Sequence, residues 1–129
     1  MQPDMSRVLV IEDDVLLRQA VVRALTSHGY DVISAEDGAA GLSAWAREQP
    51  DLVVTDLHMP NVDGIETIRA LRKAGATVPI LAVSGGDSLR SMLALESAGD
   101  LGATGLLSKP FTASELADAV AKALGKKGE

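Results

Sequence analysis

Five short apolar runs, each closed by turn-forming residues and each followed by a longer amphipathic stretch, constrain the fold of this chain more than any other feature. The runs are Arg7–Ile11 (RVLVI), Asp31–Ser34 (DVIS), Asp51–Thr55 (DLVVT), Pro79–Val83 (PILAV) and Thr104–Leu107 (TGLL). Asp, Gly, Pro and Ser bound them, as they bound strands. Three of the runs are apolar without alternation, which suits a sheet covered on both faces. DVIS is shorter and more polar, as an edge strand would be.

The stretches between the runs carry helical spacing. Leu17, Val21, Leu25 and His28 recur every three or four positions, with Arg18 and Arg23 elsewhere on the surface and Gly29 as C-cap. Leu42 and Trp45 anchor a shorter helix that ends before Pro50, and Ile65, Ile68 and Leu71 mark a third, closed by Gly75. Leu89, Met92, Leu93 and Leu95 mark a fourth, with Asp87 as N-cap. In the last, Thr112 and Glu115 have capping-box spacing ahead of Leu116, Val120, Leu124 and Gly125. Five β-α units in series predict right-handed crossovers and helices on both faces of a parallel sheet.

Composition narrows the function. The chain has 129 residues, one domain with enough length to bury a core unaided. The lack of cysteine excludes disulfides, thiolate metal sites and cysteine nucleophiles, and fits a cytoplasmic location. A net charge of −6 speaks against direct binding to nucleic acid, and Lys122, Lys126 and Lys127 read as a solvated helix tail. Tyr30, Trp45 and Phe111 are too few to make a stacking platform. The apolar runs fall short of a membrane span and the start lacks a secretory pattern, so no membrane insertion is expected.

In an open parallel sheet, ligands bind beyond the carboxyl ends of the strands. Those ends carry Glu12, Asp13 and Asp14 after the first run, and Asp56 after the third. Ser84, Gly85 and Gly86 follow the fourth, and Ser108, Lys109 and Pro110 the fifth. Crowded carboxylates repel unless a cation joins them, and hard oxygen ligands with open positions suit Mg²⁺. With Lys109 as a fixed charge opposite, Asp56 is placed to attack an electrophilic phosphorus and form an acyl phosphate. The Ser84 hydroxyl would then donate to the new phosphoryl group and favour a different loop position.

Singly, each residue has a plainer reading. Glu12–Asp14 reads as a helix cap with acids favoured by the dipole, and Lys109 as a surface lysine. Asp63–Gly64 reads as a turn in which Asp63 caps the third helix. His58 reads as incidental, His28 as a packing or C-terminal-turn residue, and Trp45 as core. Gly85–Gly86 is either a simple turn or a removal of bulk beside Asp56 that leaves the loop free to move.

Taken together, VLVIEDD, DLHMPNVDG, LAVSGG and SKPF resemble the motifs of the receiver domain of two-component response regulators, over nearly the whole chain. The resemblance implies a doubly wound, flavodoxin-like α/β fold of five parallel strands in the order 2-1-3-4-5. It makes Asp56 the phospho-acceptor, Ser84 the switch hydroxyl and Lys109 the paired cation. Asp13, Asp56 and the backbone carbonyl of His58 would ligate Mg²⁺, with Glu12 acting indirectly or through water. The Lys109–Pro110 bond is typically cis in that family. The implied partners are a sensor histidine kinase or a histidine phosphotransfer protein, and a downstream protein. The expected state is a monomer or weak dimer. Residues 1–129 would form a single receiver domain without an output domain, assisting only its own phosphorylation and dephosphorylation.

Two features depart from the family pattern. Leu106 occupies a place that is often aromatic, three residues before the lysine, and the segment from Ser84 to Leu107 is longer than in compact members. Three other readings compete. A haloacid-dehalogenase-type phosphohydrolase would need a second acid where His58 stands, and a cap domain. A flavodoxin-like cofactor binder would need a phosphate loop where EDDV stands. A degenerate receiver would not need the full set of Glu12, Asp13, Asp56, Ser84 and Lys109.

Overall fold

A computed structural model describes residues 6–57, 64–85, 99 and 102–125. The strands are β1 (Arg7–Ile11), β2 (Asp31–Ala35), β3 (Leu52–Asp56), β4 (Ile80–Gly85) and β5 (Gly105–Lys109). The helices are α1 (Val15–Ser27), α2 (Gly38–Glu48), α3 (Gly64–Lys73) and α4 (Ala113–Ala123). The helix expected around Leu89–Leu95 with its cap Asp87, the cap at Asp63, and His58 all lie outside the described residues.

All five strands pair in parallel, in the order β2-β1-β3-β4-β5. This is the doubly wound sheet the alternation predicts. Successive side chains of a strand point to opposite faces, and here each face has its own core. Leu9 and Ile11 of β1 pack with Val53, Ile80 and Ala82 against Ala44 of α2 and Ile68 and Leu71 of α3. Val8 and Val10 pack on the other side with Leu52, Val54, Leu81 and Val83 against Val21 and Leu25 of α1 and Leu116 and Val120 of α4. Burying each such side chain contributes roughly 1.5–3 kcal/mol, so two cores hold the sheet between helix pairs. Tyr30 lies in the second core and Trp45 is half-buried against the first.

The helix signals translate into specific contacts. Gly29 and Gly75 close α1 and α3 with φ of 91° and 99°, a left-handed backbone that side chains disfavour. The α2 helix ends instead on Gln49 at φ 52°, ahead of Pro50. His28 is the exposed C-cap of α1, its Nδ1 2.8 Å from the carbonyl of Ala24, rather than part of the apolar face.

The strand ends differ from the sequence reading in a way that matters. Asp56, Ser84, Gly85, Ser108 and Lys109 belong to strands rather than to the loops after them. The ladder continues through Asp56↔Val83, Ser84↔Ser108 and Gly85↔Lys109. Polarity suggested that these strands stop early, but backbone pairing carries on regardless of the side chains it bears. Gly85 is therefore a strand residue, not a loop residue. The entry to β5 is fixed by Arg72, whose guanidinium donates to the carbonyls of Ala76 at 3.0 Å, Val78 at 2.7 Å and Gly102 at 2.6 Å. Burial lowers the pKa of that guanidinium.

At α4 the capping box forms in full. Thr112 Oγ1 accepts from the Glu115 N–H at 3.0 Å and Glu115 Oε1 accepts from the Thr112 N–H at 2.8 Å. Replacing Thr112 with alanine should cost about 1 kcal/mol and lower the thermal midpoint by about 4 °C. A melt followed by circular dichroism checks this, and an unchanged midpoint would show that the box contributes nothing.

Candidate functional site

The strand order reverses between β1 and β3, and the polar residues gather at that crevice. Glu12 follows β1 directly, its N–H donating to the carbonyl of Ala35 at 3.0 Å, so the sheet's own pairing continues into the acid. Its Oε2 accepts from the Asp14 N–H at 3.1 Å, and its carbonyl accepts from Arg18 Nη1 at 2.8 Å. Asp14 turns outward and caps α1, accepting from Leu17 N–H at 3.1 Å. The acidic triplet is thus divided: Asp14 takes the helix-capping role, while Glu12 and Asp13 face the crevice.

Asp56 ends β3 with only 3% of its surface exposed, and Glu12 has 5%. Carboxylate oxygens of Glu12, Asp13 and Asp56 lie within 4.8 Å of one another. Lys109 reaches in from the end of β5, with Nζ 2.9 Å from Asp56 Oδ2 and 3.7 Å from Glu12 Oε1. It is not a solvated surface lysine. Ser84 is fully buried one strand away, at the end of β4. The Lys109–Pro110 peptide is cis, as the resemblance implied. Among the sequence-selected site residues, Glu12, Asp13, Asp56 and Lys109 therefore converge, Ser84 lies on the neighbouring strand one residue past Val83, the partner of Asp56, and His58 falls outside the described residues.

The electrostatics express an unmet demand for positive charge. Burial pushes the Glu12 carboxyl up to about 8. The Asp14 backbone hydrogen bond opposes that rise and the hydrogen bond and charge of Asp56 add to it, with Lys109 lowering it in part. For Lys109, burial disfavours the ammonium, but the hydrogen bond and charge of Asp56, together with Glu12, outweigh it and raise the pKa. Burial is the leading cause of the Glu12 rise, and a cation placed among the three carboxylates would oppose it by favouring the charged form. Hard oxygen donors around one point, short of positive charge, fit a divalent ion such as Mg²⁺.

One contributor went unnoticed in the sequence. Arg18 read as a surface residue, yet it holds the Glu12 carbonyl. Its signal was spacing: it stands one helical turn after the cap Asp14, on the same face.

The family profile for "Response regulator receiver domain" matches residues 8–121. The chain belongs to that family. It is 41% identical over 110 residues to the response regulator MprA of Mycobacterium sp. (strain KMS), covering 85% of this chain and 46% of MprA. The chain spans about half the length of the curated relatives it matches. Among solved structures, it is similar to the signal receiver domain of the putative response regulator NarL from Mycobacterium tuberculosis. That match has 33% identity and a TM-score of 0.84, and covers 97% of this chain and 100% of that one. The Vibrio cholerae chemotaxis protein CheY4 matches with 30% identity and a TM-score of 0.84, covering 93% of this chain and 99% of that one. The chain is thus a receiver, a phospho-accepting signalling module, and the phosphohydrolase and flavodoxin-type readings are not favoured. Receivers work with histidine kinases or phosphotransfer proteins and bind Mg²⁺ at an acidic pocket, and this receiver has such a pocket. No described helix is long and apolar enough to cross a membrane.

A pH dependence follows from Glu12. Its folded pKa lies above its ordinary 4.5, so the folded receiver binds the proton more tightly than the unfolded chain. The associated stability is complete below about 4.5 and is lost as pH rises towards about 8. Without divalent ions, thermal midpoints should fall across that window, and Glu12→Gln should flatten the fall. Added Mg²⁺ should raise the midpoint more at the alkaline end than at the acid end. Equal increments at both ends would contradict the assignment.

Proposed function

We propose that this receiver takes a phosphoryl group from a phosphohistidine donor onto Asp56, and that Asp13, Asp56 and the backbone carbonyl of His58 would hold a Mg²⁺ ion, with Glu12 acting indirectly or through water. The observation that carries this reading is the 2.9 Å contact of Lys109 Nζ with Asp56 beside two further acids. In such a transfer an Asp56 oxygen forms a bond to phosphorus as the phosphorus–nitrogen bond of the donor breaks, and the electron pair leaves with the imidazole. A Mg²⁺ ion held there would supply positive charge towards the acids and the phosphoryl oxygens. Lys109 holds the acceptor and offers a second cation on its other side. Positioning and charge neutralisation are most of what phosphoryl transfer needs.

Ser84, one strand over and paired in register with Ser108, is the hydroxyl that donates to the new phosphoryl group. The acyl phosphate is a signal rather than the intermediate of a turnover cycle, so the chain assists only its own phosphorylation and hydrolysis. Its donor would be a sensor histidine kinase or a phosphotransfer protein, its target a further protein, and its site of action the cytoplasm. Residues 1–129 would act as one receiver unit, as a monomer or weak dimer.

Acetyl phosphate or phosphoramidate with Mg²⁺ should add one phosphoryl group, read by intact mass. Asp56→Asn should abolish the adduct, whereas Asp63→Asn should keep it. Lys109→Ala should slow its formation by roughly tenfold or more, the scale expected when a charge that positions reacting groups is removed. Labelling that persists in Asp56→Asn would refute the acceptor assignment.

A further inference from the structure

Gly64 opens α3, and its N–H donates to the carbonyl of Leu57 at 3.2 Å. This bond seats the first turn of the helix on the peptide that leaves β3. A Cβ placed on Gly64 would collide with the carbonyl oxygen of Asp56, and would lie 2.5 Å from Cα of Leu57 and 2.8 Å from the carbonyl carbon of Asp56. All three are backbone atoms. No rotamer change can clear them, so either the helix must lift or the end of the strand must shift.

Gly41 provides the contrast. It too has no room for a Cβ, but what stands there is the side chain of Ile11, with Cγ1 at 2.8 Å. A methyl group there meets side-chain atoms that can shift, and it governs only how closely α2 approaches β1. At Gly64 the obstructed group is the peptide of the acceptor itself.

The Asp56 peptide has little freedom to yield. Asp56 pairs with Val83 in the ladder, and the next N–H, that of Leu57, donates to the Val83 carbonyl at 2.8 Å. On the side-chain side the carboxylate is held by Lys109 and sits within 4.8 Å of the two other acids. A shift of the peptide by a few tenths of an ångström therefore moves the carboxylate relative to both.

We infer that Gly64 is a positioning residue for phosphoryl acceptance: its missing side chain lets α3 press against the Asp56–Leu57 peptide and so fixes the acceptor carboxylate in the acidic pocket. The inference rests on the reading of Asp56 as acceptor. It differs from a turn role, in which small substitutions would alter stability alone.

The test compares Gly64→Ala, Ile68→Val and the unsubstituted chain, with phosphoramidate and Mg²⁺. Ile68 lies in the same helix and is fully buried, but its trimming disturbs only the core. Gly64→Ala should still be labelled on Asp56, with an initial rate about tenfold lower and a raised half-saturating Mg²⁺ concentration. Ile68→Val should lower the thermal midpoint and leave both quantities unchanged. If Gly64→Ala is unfolded at the assay temperature, all three are compared in the cold with trimethylamine N-oxide, which favours the folded state. A folded Gly64→Ala with the parental rate and Mg²⁺ dependence overturns the inference, as does an equal loss in Ile68→Val. Failure of the unsubstituted chain to accept phosphate, or label surviving Asp56→Asn, instead overturns the acceptor reading and this inference with it.

Discussion

Three carboxylates share one crevice, and the ammonium of Lys109 lies 2.9 Å from the most buried of them. Removing charge from water is costly, and a lone buried acid responds by taking up a proton. Glu12 does so here. The cluster persists because the backbone leaves it no alternative: Glu12 continues the β1–β2 pairing, and Asp56 and Lys109 are rungs of the ladder. Hydrophobic packing on two faces of the sheet supplies the stability that the acids withdraw. The functional pocket is thus a point of electrostatic strain set in the rigid part of the molecule.

That arrangement explains why strands, rather than loops, carry the site. A carboxylate on a mobile loop would drift away from its neighbours and relieve the repulsion. One fixed by parallel pairing cannot, and the repulsion remains available to whatever cation or phosphoryl group enters. The same rigidity makes close approaches at the strand ends consequential. Gly64 is the case in point, since helix α3 rests directly on the peptide of Asp56.

Much of this was legible in the sequence, and the reasons it was are physical. The five runs and the intervening periodicity mark strands and helices because burial on two faces leaves no room for alternation in the central strands. Glu12, Asp13, Asp56, Ser84 and Lys109 could be gathered because parallel topology brings every strand's carboxyl end to one rim. The extents of the strands were less legible. Ser84, Gly85, Ser108 and Lys109 look like loop residues by composition, and only backbone hydrogen bonds, to which composition is blind, extend the ladder through them. Arg72 was equally hidden: its partners are three carbonyls, which carry no residue identity. The tight contact at Gly64 depends on how α3 docks on β3, a distance that no local pattern encodes.

Leu106 bears on how a change at the pocket could leave it. The family often places an aromatic side chain there, one that can swing between two positions. Leu106 is 48% exposed on the edge strand β5, beside a groove of about 450 Å³ that Ala119, Ala123 and Lys122 of α4 help to line. A leucine in that position lacks the reach of an aromatic lever. The backbone offers another route: Ser84 pairs with Ser108, and Gly85 with Lys109. Any displacement of the β4 end towards an oxygen on Asp56 would pull on the two β5 residues that precede Pro110 and the start of α4. The backbones that bear the Ser84 hydroxyl and the Lys109 ammonium thus lie on adjacent, hydrogen-bonded strands, so a shift at the end of β4 would reach β5 through the ladder itself.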